Sequence, residues 1–284
     1  MLTGILFAIA AMLSWGTSDF LAAHSVKKTD FFKLFFWSQV ICLSFIFALF
    51  FLFFHLPSLS FPIILAILFS GFLSAAGFLA FYKGFQVGKA SIISPIAATW
   101  ALVTVILSLV FLKERLTTLQ AFSIFLALMG GVLTSFRWKD LAGIKIKRFE
   151  TGIKYAVFAA VVWGIYYIPF DIINTKLGWF MSTFLTRAAV FLLLSFFAVS
   201  FKKDVKFPRN VTLFVVLIAA LETIGYLSYA LSITSQNTSI AAPISGATPM
   251  IVVILARIFF KEELETNQKI GIVSILTGLV LLSL

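Results

Sequence analysis

The chain has 284 residues, of which 61% are hydrophobic, and its formal net charge at pH 7 is +11. Soluble domains are usually about 45–50% apolar, so a soluble fold of this length could not bury so much apolar surface, and the composition predicts a membrane protein. The charge would suit nucleic acid, but the basic residues stand between apolar segments, where orientation in a bilayer explains them.

Ten apolar segments are long enough to cross the hydrocarbon core of a bilayer, which takes roughly 20 residues for a helix. They are continuously apolar rather than alternating, which favours helices over a β-barrel. The predicted fold class is therefore an all-α membrane protein with ten transmembrane helices. The predicted spans are 2–23, 31–54, 61–82, 90–112, 117–136, 152–173, 179–201, 210–232, 238–260 and 266–284.

Residues 77–131 and 225–279 are two copies of one segment, held at a constant offset of 148 without a gap. The same offset carries the Trp-Gly pair at 15–16 onto the Trp-Gly pair at 163–164. An internal duplication of this kind is typical of carriers built from repeats.

The duplication divides the chain into three predicted units. Residues 1–136 form a first five-helix repeat, 137–151 a basic connecting loop and 152–284 a second five-helix repeat. Because five is an odd number of spans, the second half is predicted to be inverted relative to the first, with a pseudo-two-fold axis in the membrane plane. Such a pair makes two related conformations accessible, one open to each side. One chain holds both halves, so a monomer is sufficient.

The basic residues predict an orientation. Loops after the odd-numbered spans hold, in or beside them, 18 Lys and Arg, and loops after the even-numbered spans hold 3. The positive-inside rule then places both termini outside the cytoplasm.

These features resemble the drug/metabolite transporter superfamily, in its ten-span EamA-like branch. The resemblance covers essentially the whole chain. It is carried by the Trp-Gly pairs of each first span, by Ser-Pro-Ile at 94–96 and Ala-Pro-Ile at 242–244, and by the Lys-Glu pairs at 113–114 and 261–262. The family implies a polytopic carrier of metabolites or drugs, such as amino acids or nucleotide-sugars, with a central cavity between its halves.

Two features depart from the family pattern. Members usually show a second proline in the fourth span; Pro249 fits, but Ala101 stands at the equivalent position of the first half. The family topology also implies cytoplasmic termini, opposite to the orientation that the charges predict.

Glu222 is the sharpest candidate site residue, because acids inside a span usually face a cavity or a partner. It shares one helix face with Tyr226 and Tyr229, at i+4 and i+7. A carboxylate beside two phenols suits a cationic or hydroxylated substrate, and it could equally carry a proton. The structural alternative is a buried ion pair or hydrogen-bond anchor.

Arg187 lies within the seventh span, and its repeat mate is Gln39. It could bind a substrate carboxylate or phosphate bidentately. It could also pair with Glu222 or cap a backbone carbonyl. Because the equivalent position is polar in both halves, a structural bracing role is the alternative to substrate binding.

An aromatic and acidic stripe marks the first span of each half. Trp15 and Asp19 share one face, and Trp163, Tyr167 and Asp171 share another. The stripe predicts cavity-lining side chains, and the alternative for each Asp is an interfacial position where the carboxylate reaches water.

Pro95 and Pro243 are equivalent prolines inside the fourth spans and are predicted hinges, because proline bends a helix. Glu114 and Glu262, in the Lys-Glu pairs that follow, are predicted to form helix-terminal salt bridges or gate contacts. Further candidates for cavity lining on the fourth spans are Ser94, Thr99, Trp100, Ser245 and Thr248.

The function predicted from these features is a secondary transporter of a small polar or amphipathic, amino-acid-like metabolite. It would work by alternating access, with protons as a possible coupling ion. The predicted localisation is the plasma (inner) membrane if the chain is prokaryotic, and no cofactor, metal or nucleic acid is expected. A channel, a receptor or assembly protein, and an intramembrane lipid-acting enzyme stay open as alternatives, but no zinc-protease motif or His cluster is present in the sequence.

Overall fold

A computed structural model describes residues 2–53, 57, 59–88, 90–134, 146–261 and 263–283. The greater part of the predicted loop 137–151 lies outside these residues, as does the predicted gate residue Glu262. Regular structure in the described ranges is helical, which confirms the predicted all-α class. The helices are α1 Leu2–Ser25, α2 Phe31–Phe53, α3 Phe61–Val87, α4 Ala90–Ala98, α5 Trp100–Phe111, α6 Thr118–Thr134, α7 Ile146–Ser200, α8 Thr212–Ser235, α9 Thr238–Ser245, α10 Thr248–Phe260 and α11 Thr266–Ser283.

Eight helical stretches in the described ranges are long and apolar enough to cross a membrane, and Thr118–Thr134 is a shorter apolar helix. Large apolar side chains cover the outside of the bundle: Phe51, Phe196 and Val273 are 81%, 72% and 62% exposed. The interior holds polar groups, among them Arg187 and Glu222. This distribution is costly in water and favourable in lipid.

The predicted fourth spans, 90–112 and 238–260, are each broken into two helices. In the first half α4 ends at Ala98 and α5 begins at Trp100. In the second half α9 ends at Ser245 and α10 begins at Thr248. Each break follows the predicted hinge proline within a turn. In the second half Pro249 stands in the first turn of α10, a position that proline tolerates because no helical partner is needed for its missing N–H.

The predicted spans 152–173 and 179–201 lie in one continuous helical stretch, α7, with a break at Gly178. Gly178 has φ 77 and ψ 164, a backbone conformation that is unfavourable for residues with a Cβ atom. A glycine therefore makes a sharp change of direction inside α7, where the sequence predicts a short loop.

Three helix pairs dominate the packing: α1 with α8, α3 with α7, and α6 with α11. Two of these contacts depend on glycine. A Cβ built on Gly225 would lie 2.3 Å from Nε1 of Trp15, and a Cβ built on Gly77 would lie 2.3 Å from Nε1 of Trp163. In the predicted repeat Gly77 matches Gly225 and Trp15 matches Trp163, so the two contacts exchange under the offset of 148.

The segments after α1 and α7 meet at one end of the bundle. Lys33 Nζ lies 2.5 Å from Asp204 Oδ2, the indole N–H of Trp37 donates to the Val205 carbonyl, and Asn210 donates to the Lys28 carbonyl. The Lys33 ammonium and the Lys206 amide hold the pKa of Asp204 below its usual range. These contacts bring the loop before α2 and the start of α2 to the same end of the bundle as the segment after α7.

Candidate functional site

A central cavity lies where α1, α3, α4, α7 and α8 converge. The empty space in and around it is about 510 Å³, a volume that includes open solvent, so the closed part of the cavity is much smaller. Both predicted halves of the chain contribute to its walls. The lining residues are Trp15, Asp19, Ser74, Phe78, Phe81, Ser94, Ala97, Ala98, Trp100, Trp163, Tyr166, Tyr167, Glu222, Tyr226 and Thr248.

Glu222 is buried and contributes a carboxylate to this cavity. Its Oε1 accepts a hydrogen bond from Ser18 Oγ at 3.1 Å, which ties α8 to α1. The Tyr226 hydroxyl lies beside the carboxyl group. Within the described part of the chain, however, neither that hydroxyl nor Glu222 Oε2 completes a hydrogen bond of good geometry. Buried polar atoms are nearly always paired, so these two are suited to a ligand or a water molecule.

Asp19 places a second carboxyl group in the cavity. It is one residue after Ser18, the donor to Glu222, and it is close enough to Glu222 for the two acids to repel each other. The position of Asp19 near one end of α1 suggests an interfacial residue when the helix is considered alone. Because α1 packs against α8, Asp19 lies in the wall of the cavity.

Aromatic rings form most of the cavity wall. Eight of the fifteen lining residues are aromatic. Trp15 lies between Tyr226 and Trp100, with ring centroids 5.7 and 6.4 Å away, and Trp100 packs on Tyr167 at 4.3 Å. Trp163 contacts Phe78 at 4.7 Å on the other side. These rings leave the acids in an apolar, rigid surrounding.

Arg187 is 1% exposed and lies behind the cavity wall rather than in it. Its guanidinium donates to Ser74 Oγ at 2.8 Å, and to Gln39 Oε1 and the Tyr166 hydroxyl at 3.4 Å each. It also stacks over the Tyr226 ring, 4.0 Å from the centroid. In the described residues no carboxylate oxygen comes within 4.0 Å of it. The predicted pair with Glu222 is therefore not a direct one, and Tyr226 stands between the two charges.

Three other predicted site residues lie beside the cavity. Tyr229 is 1% exposed and packs behind Tyr167, with ring centroids 4.6 Å apart. The predicted hinge residues Pro95 and Pro243 line a separate apolar groove between α6 and the two helix breaks. The groove and the cavity share one wall residue, Ala98.

Glu114 makes a contact between the two halves. Its Oε1 accepts the Thr238 amide at 2.8 Å and its Oε2 accepts the Ser239 amide at 2.9 Å, at the start of α9. The Thr238 hydroxyl donates to Asp171 Oδ2 at 2.5 Å. Lys113, with φ 56, turns the chain so that Glu114 reaches across. A carboxylate at a helix N-terminus is favourable because it pairs with free N–H groups.

Sequence reasoning missed several lining residues. Ser74 and Phe78 are the repeat mates of Glu222 and Tyr226, and Tyr166 is the mate of Ser18. Carrying the candidates Glu222 and Tyr226 onto their mates would have predicted Ser74 and Phe78. Tyr166 could not be found in this way, because Ser18 was not a candidate.

The described residues hold no cluster of three or more His, Cys, Asp or Glu that could bind a metal ion.

The model of the EamA-like transporter family matches the chain twice, over residues 2–136 and 150–284. The chain belongs to this family, within the drug/metabolite transporter superfamily. Together with its apolar helices, this makes it an integral multi-pass membrane protein.

Two relatives and one solved structure extend this finding. The chain is 26% identical over 197 residues to an uncharacterized transporter of Clostridium kluyveri, a match that covers 68% of this chain and 63% of the relative. It is 30% identical over 135 residues to an uncharacterized protein of Methanocaldococcus jannaschii, covering 48% of this chain and 98% of that protein. A crystal structure with 17% identity superposes with a TM-score of 0.78 over 99% of this chain and 96% of the other, and so shares the fold.

Proposed function

We propose that this EamA-like protein is a secondary transporter of a small amphipathic metabolite, working by alternating access, and not an enzyme. The observation that carries the proposal is the cavity between the halves, where unpaired polar atoms of Glu222 and Tyr226 stand inside an aromatic wall. Acids are retained inside a membrane mainly where they serve a pathway. In a prokaryote the membrane would be the inner membrane, and one chain is sufficient.

The eight long apolar stretches become ten membrane crossings if α7 is counted as two crossings and the shorter helix α6 as one. The break at Gly178 divides α7 into two crossings. The 17-residue helix α6, which packs along α11, then provides a further crossing. Lys28 and Asp204 lie in segments that meet at one end of the bundle, as segments after odd-numbered crossings should.

An inverted duplication accounts for the paired contacts. Trp15 lies on Gly225 as Trp163 lies on Gly77, and Gly16 contacts Ile251 as Gly164 contacts its mate Val103. The family model matches each half separately, and one relative is about as long as one half. Halves related in this way can exchange their arrangements, which is the basis of alternating access.

Glu114 would act as a gate on one side. Its two hydrogen bonds join the end of α5 to the start of α9, across the halves. Opening that side would break these bonds.

Glu222 would alternate between a substrate-bound and a protonated state.

The test is counterflow in proteoliposomes, in which unlabelled substrate inside drives uptake of labelled substrate. A carrier gives saturable counterflow, a channel gives flux without it, and an enzyme changes the ligand. Glu222→Gln is expected to abolish pH-dependent transport while the surface variant Asp204→Asn keeps it. Unchanged coupled transport in Glu222→Gln would remove Glu222 from this role.

A further inference from the structure

We infer that the transported substrate is a monovalent organic cation, an amine on an apolar or aromatic body, and not a zwitterionic amino acid or an organic anion. The inference rests on the proposed transport function and names the substrate class of the same cavity. The distribution of charge around the cavity supports a cationic substrate.

Two carboxyl groups line the cavity, those of Asp19 and Glu222. They stand on α1 and α8, the two helices that the Ser18 hydrogen bond joins. No lysine or arginine is among the lining residues in the described ranges. The face that a ligand would meet is therefore acidic, and an acidic, poorly hydrated face favours a cation and disfavours a carboxylate.

Arg187 does not offer a binding place for a substrate carboxylate. Three of its five N–H groups donate: both of those on Nη2, to Ser74 and Tyr166, and one on Nη1, to Gln39. Tyr226 covers one face of the guanidinium. An arginine that binds a carboxylate bidentately needs two parallel N–H groups free at the ligand. The buried position of Arg187 leaves it to compensate part of the acidic charge from behind the wall.

The aromatic wall supplies the second recognition element. Trp15, Trp100 and Trp163 present rings in the same cavity as the two acids. Tryptophan faces attract organic cations, and the attraction grows when the cation is desolvated. The Arg187 guanidinium at 4.0 Å from the Tyr226 centroid is a resident example of this interaction in the same cluster. The rings would also bind the apolar body of the substrate.

The experiment compares four probes with one phenyl ring and different charge. These are 2-phenylethylamine (cation), 2-phenylethanol (neutral), phenylacetate (anion) and phenylalanine (zwitterion). Binding of radiolabelled 2-phenylethylamine to the full-length detergent-solubilised protein is measured by equilibrium dialysis, and the other three compete. We expect 2-phenylethylamine to bind at least about tenfold more tightly than each of the others. Equal or tighter binding of phenylacetate or phenylalanine would overturn the inference.

Two variants locate the cation. Glu222→Gln and Asp19→Asn are each expected to weaken 2-phenylethylamine binding by at least about tenfold and to change 2-phenylethanol binding little. Asp204→Asn, an exposed acid to amide change, is the matched control. If both cavity variants bind the amine as the control does, the acids do not recognise it. The probe comparison on the unaltered protein needs no variant and stands even if one fails to fold.

Flux separates this inference from the function on which it rests. Counterflow of phenylacetate or phenylalanine, but not of 2-phenylethylamine, would refute the cationic substrate class and still support transport. Tight binding of 2-phenylethylamine without counterflow of any probe would support the cation site and refute the carrier function.

Discussion

Replacing Gly225 with alanine tests whether the close approach of α1 and α8 positions the cavity wall. The new Cβ would lie 2.3 Å from Trp15 Nε1 and 2.5 Å from Cδ1 of the same ring, whereas ordinary contact begins at 3.4 Å. The indole must therefore move by about 1 Å, and it has little room because Trp100 and Tyr226 pack against it. Overpacking of this kind costs about 1–3 kcal/mol.

The assay for Gly225→Ala combines two measurements on protein in detergent: the thermal midpoint of unfolding and the affinity for 2-phenylethylamine. Both are expected to fall. Gly131→Ala is the matched control, because nothing would lie within 4 Å of its new Cβ, and the added methyl group should leave both values near those of the parent protein. If Gly225→Ala behaves like Gly131→Ala, the packing of Trp15 does not position the wall, and the reasoning fails.

Three further predictions concern the gate, the buried arginine and the topology. Glu114→Gln keeps the size of the side chain but removes its charge and replaces one accepting oxygen with an NH2 group, so only one of the two hydrogen bonds can persist. It should weaken the contact by about 1–2 kcal/mol and speed the labelling, by a thiol-reactive probe added on that side, of a cysteine introduced at the cavity residue Ser94. Arg187→Lys loses the planar fork and should lower the free energy of unfolding by about 1–3 kcal/mol, whereas the exposed Arg209→Lys should change it little. Cysteines placed at Lys28 and Ser60 should be labelled from opposite sides of the membrane, Lys28→Cys from the cytoplasm; labelling of both from one side contradicts the topology.

Much of the helical pattern is visible in the sequence because each apolar run is long. The runs beginning at Leu2 and Phe31 match α1 and α2 to within a few residues at their ends. The breaks are less visible. Pro95 predicts a bend, but the break itself comes at Thr99, whose amide and hydroxyl both donate to the Ile96 carbonyl. The spacing of apolar residues does not predict these local hydrogen bonds.

The residues of the candidate site that are unusual by type could be predicted from the sequence. The residues whose place in the site depends on packing between helices could not. Glu222 is conspicuous because an acid is costly in hydrocarbon. Asp19 lies at a position of α1 where water could be reached, and only the packed bundle gives it a cavity wall. Similarly, Arg187 is a plausible ligand residue by type, but Ser74, Tyr166 and Tyr226 surround it.

The charges at the centre show how a duplicated scaffold can hold an asymmetric substrate. Under the offset of 148, Glu222 matches Ser74, Asp19 matches Tyr167 and Arg187 matches Gln39, so each charged residue has a neutral mate. The mates meet across the centre: Arg187 donates to both Gln39 and Ser74. The backbone contacts thus keep the relation between the halves, while the side chains place negative charge on the α1–α8 wall and positive charge behind the α3–α7 wall. Under the proposed mechanism, a cation in this cavity would have one preferred orientation, and the two conformations would differ in energy. If the proposed alternating access holds, we expect this asymmetry of charge between the halves to contribute to which side of the membrane the empty cavity faces.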